Sequence, residues 1–346
     1  MEYRALGTTE IKVSRCCLGT MTWGSQNSRD EAFEQMDYAV ERGVNFFDTA
    51  EIYPVPPREE WANATETIIG EWLRARPGMR EKIIIATKIG GPHVPWLRGD
   101  RPPFNKKDIR DALDASCKRL GVETIDLYQL HWPERHVNIF GRLAWTVPAG
   151  EERTTPFEET LSAFAELQKE GRVRAVGVSN ETPWGVMRFL EHAEKAGLPR
   201  MASIQNPYSL LNRSFEVGLA EVAFRERCGL LAYAPFAAGV LSGKYLDGAK
   251  PKGARFVLYP QASRYFSASG EAAVRAWIDL AKRHEMDIAT LAHAFVYSRP
   301  FLTSSIIGAT RMDQLKAAID AEAVTLSDEL LAEIEEVHNA HTYPCP

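Results

Sequence analysis

Residues 82–88, Lys-Ile-Ile-Ile-Ala-Thr-Lys, form a short apolar run that ends in a charged residue. A run of this length without polar alternation is typical of a strand that is buried on both faces, as strands of parallel sheets are. Similar runs occur along the chain at residues 16–21, 44–48, 127–131, 173–179, 202–206, 230–234 and 304–308. The sequence therefore predicts eight parallel strands.

Stretches with helical periodicity separate these runs. The clearest amphipathic patterns cover residues 30–42, 106–120, 157–170, 215–227 and 312–321. Alternating strands and helices favour the α/β class, and eight such units fit a closed (β/α)8 TIM barrel. We also expect an N-terminal β-hairpin over residues 3–13, an extra C-terminal helix, and one domain over residues 1–346. An open doubly wound sheet is the alternative, but no Gly-x-Gly-x-x-Gly fingerprint follows any strand.

The composition of the chain argues against several functions. A net charge of -5 does not suit a nucleic-acid or membrane-surface partner. No apolar run approaches the roughly 18 residues of a membrane span, and the first residues show no apolar signal-peptide core, so we expect a cytoplasmic protein. The 5 cysteines include no Cys-x-x-Cys pair and indicate neither disulfides nor a metal site. The expected partner is therefore a small molecule.

Four titratable residues stand at or just after the ends of predicted strands: Asp48, Tyr53, Lys88 and His131. In a barrel of this kind the C-terminal ends of the strands carry the active site. A charged group that is buried there is costly unless a partner compensates it. A structural ion pair explains any two of these residues, but four complementary groups together indicate a catalytic site.

In their order and positions these four residues resemble the catalytic tetrad of the aldo-keto reductases. Residues 50–58, 176–181, 205–220 and 341–344 resemble a bacterial branch of the same family, so the resemblance covers the whole chain. It implies an NADPH-dependent reductase of aldehydes or ketones, which also works in reverse as an alcohol dehydrogenase.

The side-chain chemistry fits this reaction independently. Carbonyl reduction places a hydride on carbon and a proton on oxygen, and a phenol with a pKa of about 10 is a weak proton donor at neutral pH. A lysine ammonium about 4 Å away favours the phenolate by roughly 4 kcal/mol at an effective dielectric near 20. We therefore expect Lys88 to lower the pKa of Tyr53 into the range useful for general acid catalysis. Asp48 keeps Lys88 charged, and His131 orients the substrate carbonyl.

The resemblance also implies which residues bind the nicotinamide cofactor. Ser179, Asn180 and Gln205 hydrogen-bond its carboxamide, and Tyr233 stacks on its ring. The pyrophosphate lies under the loop that contains Pro235, Phe236, Ala237, Gly239, Leu241 and Lys244. Taken singly, Gln205 or Tyr233 is more often a strand-end residue with local hydrogen bonds.

Residues 308–311, Gly-Ala-Thr-Arg, lead from the last strand into a helix whose N-terminus suits an anion. In the family this position binds the 2′-phosphate of NADPH. The resemblance therefore implies that Gly308, Thr310 and Arg311, with Gln314 nearby, favour NADPH over NADH. The chain departs from the family pattern at residues 317–318. Two alanines stand there where many relatives carry Glu-Asn, which contacts adenine.

Substrate contacts are expected from residues just after three of the strands, namely Trp23, Trp132 and Tyr208. Trp96 and Trp145 lie in longer loops, where substrate contact and loop packing are equally open interpretations.

Two other functions stay open. Some proteins that resemble this family hold NADPH as a redox signal in a regulatory subunit with little turnover. A barrel isomerase or lyase that uses no nicotinamide is the third possibility, since the fold alone does not exclude it.

Overall fold

A computed structural model of the chain describes residues 1–99, 101–260 and 263–346. Two short strands, β1 (Tyr3–Ala5) and β2 (Lys12–Ser14), pair as an antiparallel hairpin. Eight further strands follow: β3 Cys16–Gly19, β4 Phe46–Asp48, β5 Ile84–Ile89, β6 Ile125–Leu130, β7 Val173–Ser179, β8 Met201–Pro207, β9 Gly229–Tyr233 and β10 Leu302–Ile307. These strands are all parallel and close into a barrel in which β10 pairs with β3. The predicted (β/α)8 barrel and hairpin are confirmed.

Helices surround the barrel. Their bounds are α1 Arg29–Glu41, α2 Ala64–Arg74, α3 Pro95–Arg98, α4 Lys106–Leu120, α5 Phe157–Lys169, α6 Pro183–Ala196, α7 Leu219–Arg225, α8 Arg255–Leu258, α9 Ala268–Arg283, α10 Ile288–Tyr297, α11 Met312–Asp320 and α12 Asp328–Ala340. The last of these is the expected C-terminal helix. Within the described ranges, none of the helices has the length and apolar character that a bilayer crossing requires.

The prediction of a single helix over residues 215–227 is wrong in one respect. A 3-10 turn over Ser214–Val217 precedes α7, and Gly218 separates the two in a non-helical conformation. The apolar spacing is helical on both sides of Gly218, so periodicity alone does not reveal the break.

The hairpin closes one end of the barrel interior. Leu6, Ile11 and Val13 pack in one apolar cluster with inward-facing strand residues such as Phe46 and Leu127. Gly7 lies so close to β8 that an added Cβ would come within 2.6 Å of the Ala202 carbonyl oxygen. Because the hairpin fills this end, the opposite end, where the strands finish, is left for the site.

Candidate active site

The four titratable residues meet at the C-terminal end of the barrel. Asp48 is the last residue of β4, Lys88 lies in β5, and His131 directly follows β6. Tyr53 lies in the segment after β4, where its backbone N–H donates to the Ala50 carbonyl. All four side chains are buried, from 0% exposed for Lys88 to 8% for Tyr53 and His131. The neighbouring strands therefore bring the predicted tetrad into one enclosed cluster.

The Lys88 ammonium is the centre of this cluster. Its Nζ donates to Asp48 Oδ2 at 2.7 Å, to the Thr49 carbonyl at 2.8 Å and to the Tyr53 hydroxyl at 3.4 Å. An ammonium has three protons to donate, so these three acceptors satisfy it. Lys88 is thereby fixed in one position beside the phenol.

The Asp48 carboxylate is compensated on both oxygens. Its Oδ1 accepts hydrogen bonds from Gln205 Nε2 at 2.8 Å and from Gln129 Nε2 at 3.3 Å, while Oδ2 faces Lys88. Gln205 Nε2 also lies 3.1 Å from Gln129 Oε1. A buried ion pair is stable only when hydrogen bonds satisfy its remaining atoms, and these two amides do so for Asp48.

The pKa of Lys88 is raised, in agreement with the expectation that Asp48 keeps this residue charged. Burial alone would lower it, but the negative charge of Asp48 and the Tyr53 oxygen outweigh that effect. Lys88 is therefore an ammonium ion at neutral pH.

The predicted lowering of the Tyr53 pKa is wrong. Burial raises the pKa of the phenol above its usual value, and the charge of Lys88 offsets only part of this rise, to which the Asp48 carboxylate adds. The prediction counted the attraction of Lys88 but neither the desolvation of a phenolate nor the nearby carboxylate. Tyr53 thus holds its proton at neutral pH.

His131 faces the phenol from the next strand. Its ring centroid lies 5.6 Å from that of Tyr53 in an edge-to-face arrangement and 4.8 Å from that of Trp132. Burial first, and the charge of Lys88 second, hold the pKa of His131 well below its usual value. Its buried Nδ1 has no hydrogen-bond partner among the described residues. The ring is therefore neutral and has hydrogen-bonding capacity that the protein does not use.

The residues assigned to the nicotinamide carboxamide and ring form a chain of hydrogen bonds beside His131. Asn180 Nδ2 donates to the His131 carbonyl at 2.9 Å, and Asn180 Oδ1 accepts from the Tyr233 hydroxyl at 2.7 Å. Ser179 Oγ donates to the Gln205 carbonyl at 2.8 Å. The structure places these four residues on the ends of β7, β8 and β9, next to the tetrad.

The loop after β9 presents its backbone rather than its side chains. Leu241 and Ala237 are fully buried in the apolar core, Pro235 is buried as well, and the ring of Phe236 stacks on His293 at 5.8 Å. By contrast, a Cβ added to Gly239 would meet Lys244 Nζ at 3.0 Å, so this ammonium lies over the bare loop backbone.

The predicted phosphate-binding turn begins α11. Gly308 is exposed with open space beside it, and the Thr310 N–H donates to Gln314 Oε1 at 3.0 Å. Arg311 pairs with Asp313 at 2.7 Å, and both side chains are exposed to solvent. The turn thus places the Arg311 guanidinium at the surface. Another anion can replace Asp313 as its partner there.

Two of the substrate-pocket predictions are corrected. Trp23 is fully buried in the core, with Nε1 donating to Gln35 Oε1 at 3.0 Å. Tyr208 is also fully buried, stacks on Phe295 and donates its hydroxyl to Glu216. Position after a strand end does not reveal which way a side chain turns, and both of these turn into the core.

The other three tryptophans considered for the substrate pocket are partly exposed. Trp132 is half-buried beside His131, and its Nε1 donates to the Pro92 carbonyl at 3.0 Å. Trp96 is 38% exposed on α3, and Trp145 is 56% exposed in the loop before α5. Only Trp132 therefore contacts a member of the tetrad directly.

Sequence reasoning missed the buried pair Glu51 and Arg98. Arg98 Nη1 and Nη2 donate to the two carboxylate oxygens of Glu51, at 2.7 and 2.8 Å, and Glu51 also accepts from the Gly90 N–H. This pair ties the loop after β5 to the segment that carries Tyr53. The sequence does contain a signal for this pair: the carboxylate of Glu51 stands two residues before Tyr53 in an otherwise apolar segment.

Two arginines in the segment after β9 were also missed. Arg255 donates to Gln26 Oε1 at 3.2 Å, and Arg264 Nη2 donates to the Tyr265 hydroxyl at 3.0 Å. Among the described residues, neither arginine forms an ion pair with a carboxylate. The positive charge of Arg255 also acts on Tyr53, whose pKa it lowers slightly.

The donors of this face fit a nicotinamide dinucleotide. Residues 234, 237, 238 and 239 have positive φ values, from 49° to 88°, and backbone in this conformation forms anion-binding concavities. Lys244 and Arg255 supply cations that no carboxylate of the described residues neutralises, so together with this loop they would hold the pyrophosphate. Within the described ranges, no group of three or more His, Cys, Asp or Glu residues is arranged to hold a metal ion.

Comparison with known proteins agrees with this geometry. The model of the Aldo/keto reductase family matches residues 15–339. The chain is 51% identical to the protein Tas of Escherichia coli K12 over all of both chains. It is 33% identical to the uncharacterized oxidoreductase YrpG of Bacillus subtilis, over 97% of this chain and 96% of that one. It is 29% identical to the NADH-specific methylglyoxal reductase of Escherichia coli K12, over 93% and 94%. The chain therefore belongs to the aldo/keto reductase family and is an oxidoreductase.

Proposed function

We propose that the chain is an NADPH-dependent reductase of small aldehydes or ketones, in which Tyr53 is the general acid and the reaction is reversible. Family membership supports carbonyl reduction, and two relatives are named for it. One is the methylglyoxal reductase above, and the other is the L-glyceraldehyde 3-phosphate reductase of Escherichia coli O157:H7, which is 27% identical over 97% of this chain.

One observation carries the proposal, namely the 3.4 Å contact between the Tyr53 hydroxyl and Lys88 Nζ beside the neutral His131 ring. A reduced nicotinamide supplies the hydride that the carbonyl carbon takes up. Tyr53 donates its proton to the carbonyl oxygen, and Lys88 stabilises the phenolate that is left. The unused hydrogen-bonding capacity of His131 serves to orient the carbonyl. Asp48 takes no part in proton transfer and holds Lys88 in its charged form.

The preference for NADPH over NADH rests on Arg311, which is exposed at the start of α11. A guanidinium at a helix N-terminus suits the additional phosphate of NADPH. Since one relative is named NADH-specific, the two cofactors are to be compared directly. We expect a higher kcat/KM with NADPH, and we expect Arg311→Gln to lower this preference while Arg225→Gln, an exposed arginine on α7, does not.

The proposed reaction is tested by isotope transfer. NADPH deuterated at both C4 positions is incubated with the protein and a panel of reactive aldehydes, and the alcohols are analysed by mass spectrometry and NMR. We expect one deuterium on the carbinol carbon. Failure to oxidise NADPH with any aldehyde would contradict the proposal, and tight NADPH binding in that case would support the regulatory subunit instead.

A further inference from the structure

Arg264 is a cation near the active site that the proposed reaction does not use. It lies in the 3-10 turn Ser263–Tyr265, in the segment that follows β9. Its Nη2 donates to the Tyr265 hydroxyl at 3.0 Å, whereas its Nη1 is buried and has no hydrogen-bond partner among the described residues. Leaving a buried charged donor without a partner is costly, so a missing acceptor is indicated.

Other arginines in similar surroundings are paired with carboxylates. Arg98 makes two hydrogen bonds to Glu51, Arg135 pairs with Glu181, and Arg213 pairs with both Glu216 and Glu335. Arg264 differs from them because, in the described part of the chain, its guanidinium forms no ion pair with a carboxylate and donates a hydrogen bond to the Tyr265 hydroxyl. The protein thus keeps a cation here without supplying the anion.

The position of this cation is fixed by packing. Tyr265 is 6% exposed and lies 5.6 Å from the Phe256 ring, within a group of aromatic side chains from the same segment. The Arg264 guanidinium lies 4.9 Å from the centre of the Tyr265 ring. On its other side, an added Cβ at Gly141 would come within 3.0 Å of Arg264 Cβ, so the loop before α5 also confines the residue.

Arg264 is also connected to the reactive end of the barrel. Burial raises the pKa of Tyr233, and the positive charge of Arg264 offsets part of that rise. The Tyr233 hydroxyl in turn donates to Asn180, whose amide donates to the His131 carbonyl. Through Tyr233, Arg264 adjoins the residues beside His131 that the proposed reaction uses.

We propose that Arg264 binds a carboxylate of the substrate, so that the preferred substrates are small carbonyl compounds that carry an acidic group. This inference rests on the proposed reductase function. A guanidinium presents a planar pair of donors that matches a carboxylate. A single cation balances one negative charge, whereas a phosphate dianion would leave one charge without compensation at this position.

The test compares two aldehydes of similar size, 4-carboxybenzaldehyde and methyl 4-formylbenzoate, which differ in the charge of one group. Initial rates of NADPH oxidation are measured for the wild type, Arg264→Gln, Arg264→Lys and the control Arg225→Gln. In Arg264→Gln, we expect the ratio of kcat/KM for the acid to that for the ester to fall roughly 10- to 100-fold, the range of a charge-assisted hydrogen bond. The change arises in KM for the acid. Arg264→Lys retains part of the ratio, and Arg225→Gln retains all of it.

A second measurement does not depend on turnover. Benzoate is titrated into the NADPH-bound protein, with cofactor fluorescence as the signal, and we expect Arg264→Gln to weaken benzoate binding about tenfold. Equal benzoate affinity in both proteins, an unchanged ratio, or an equal loss on both aldehydes with a lower unfolding temperature would overturn the proposal. If the wild type reduces neither aldehyde but binds benzoate through Arg264, the reductase function fails and the carboxylate site stands.

Discussion

The two sides of the barrel end differ in how their charges are balanced. On the β4 to β6 side, the buried Lys88 faces Asp48 at 2.7 Å, and Gln205 and Gln129 complete the hydrogen bonds of that carboxylate. On the β9 and β10 side, Lys244, Arg255 and Arg264 have no carboxylate partners among the described residues. The first side is electrostatically complete within the protein, and the second is left positive.

This difference separates two requirements of the proposed reaction. Groups that transfer or control a proton need fixed partners, because their pKa values depend on every neighbouring charge. Groups that bind an anion need the opposite, since an internal carboxylate would compete with the ligand for the same donors. The buried tetrad meets the first requirement, and the arginines and lysine of the later loops meet the second.

The largest expected effect follows from removing the proton donor. Tyr53→Phe deletes only the hydroxyl that Lys88 contacts, so we expect kcat to fall roughly 100- to 10,000-fold, the usual contribution of general acid catalysis. NADPH binding, measured by fluorescence quenching, is expected to stay close to that of the wild type. Retention of kcat, or a parallel loss of cofactor binding, would mean that Tyr53 is not the donor.

Breaking the compensated pair is expected to affect stability next most strongly. Asp48→Asn leaves Lys88 as a buried charge without its counter-ion, and loss of one partner of a buried pair costs about 3–5 kcal/mol of unfolding free energy. The double variant Asp48→Asn with Lys88→Met removes both charges and is expected to recover much of this stability, but not activity. Chemical denaturation measures both variants. A double variant less stable than the single one would refute the charge argument.

Removing an uncompensated cation is expected to act on the ligand and not on the fold. Lys244→Gln should weaken NADPH binding about tenfold, as expected for one charge-assisted hydrogen bond. The free energy of unfolding without cofactor should not fall, because Lys244 has no carboxylate partner to lose and burial already lowers its pKa. Isothermal titration at two salt concentrations gives the affinity, with Arg225→Gln as the control. A destabilised protein with normal affinity would reverse the assignment.

The smallest effect is expected in the pH profile. Reduction requires protonated Tyr53 and neutral His131. The raised pKa of Tyr53 keeps its proton until the pH rises above the usual value of 10.0, and the lowered pKa of His131 keeps it neutral until the pH falls well below 6.5. We therefore expect kcat/KM for reduction to stay flat from about pH 6 to about pH 9. A loss of activity between pH 7 and pH 9 would instead indicate the lowered Tyr53 pKa that the sequence suggests.

The barrel and the tetrad are predictable from sequence because they depend on local patterns. Apolar runs of strand length set the eight strands, and a titratable residue at the end of such a run has a defined position on the barrel rim. The strand ends move by up to two residues, as at β4, which begins at Phe46 rather than at residue 44. This does not disturb Asp48, because the position of the functional residue is set by the C-terminal end of the strand.

The remaining features depend on three-dimensional surroundings that sequence patterns do not contain. Trp23 and Tyr208 follow strand ends as Trp132 does, but they turn into the core. The pKa of Tyr53 depends on the balance between burial and Lys88, and only the structure supplies both terms. Arg264 is distinguished by the absence of a carboxylate near it in the described chain, and a missing neighbour leaves no sequence motif.

The contrast between the two sides is tested most directly by thermal unfolding with and without saturating NADPH, on the wild type, Asp48→Asn and Lys244→Gln. Ligand that binds only the folded protein raises its stability in proportion to affinity. The account predicts that Asp48→Asn lowers the unfolding temperature without cofactor but keeps most of the cofactor-induced rise. Lys244→Gln should show the reverse, with an unchanged temperature without cofactor and a smaller rise with it. If both variants lose stability equally and respond equally to NADPH, the two sides do not have the separate roles assigned to them.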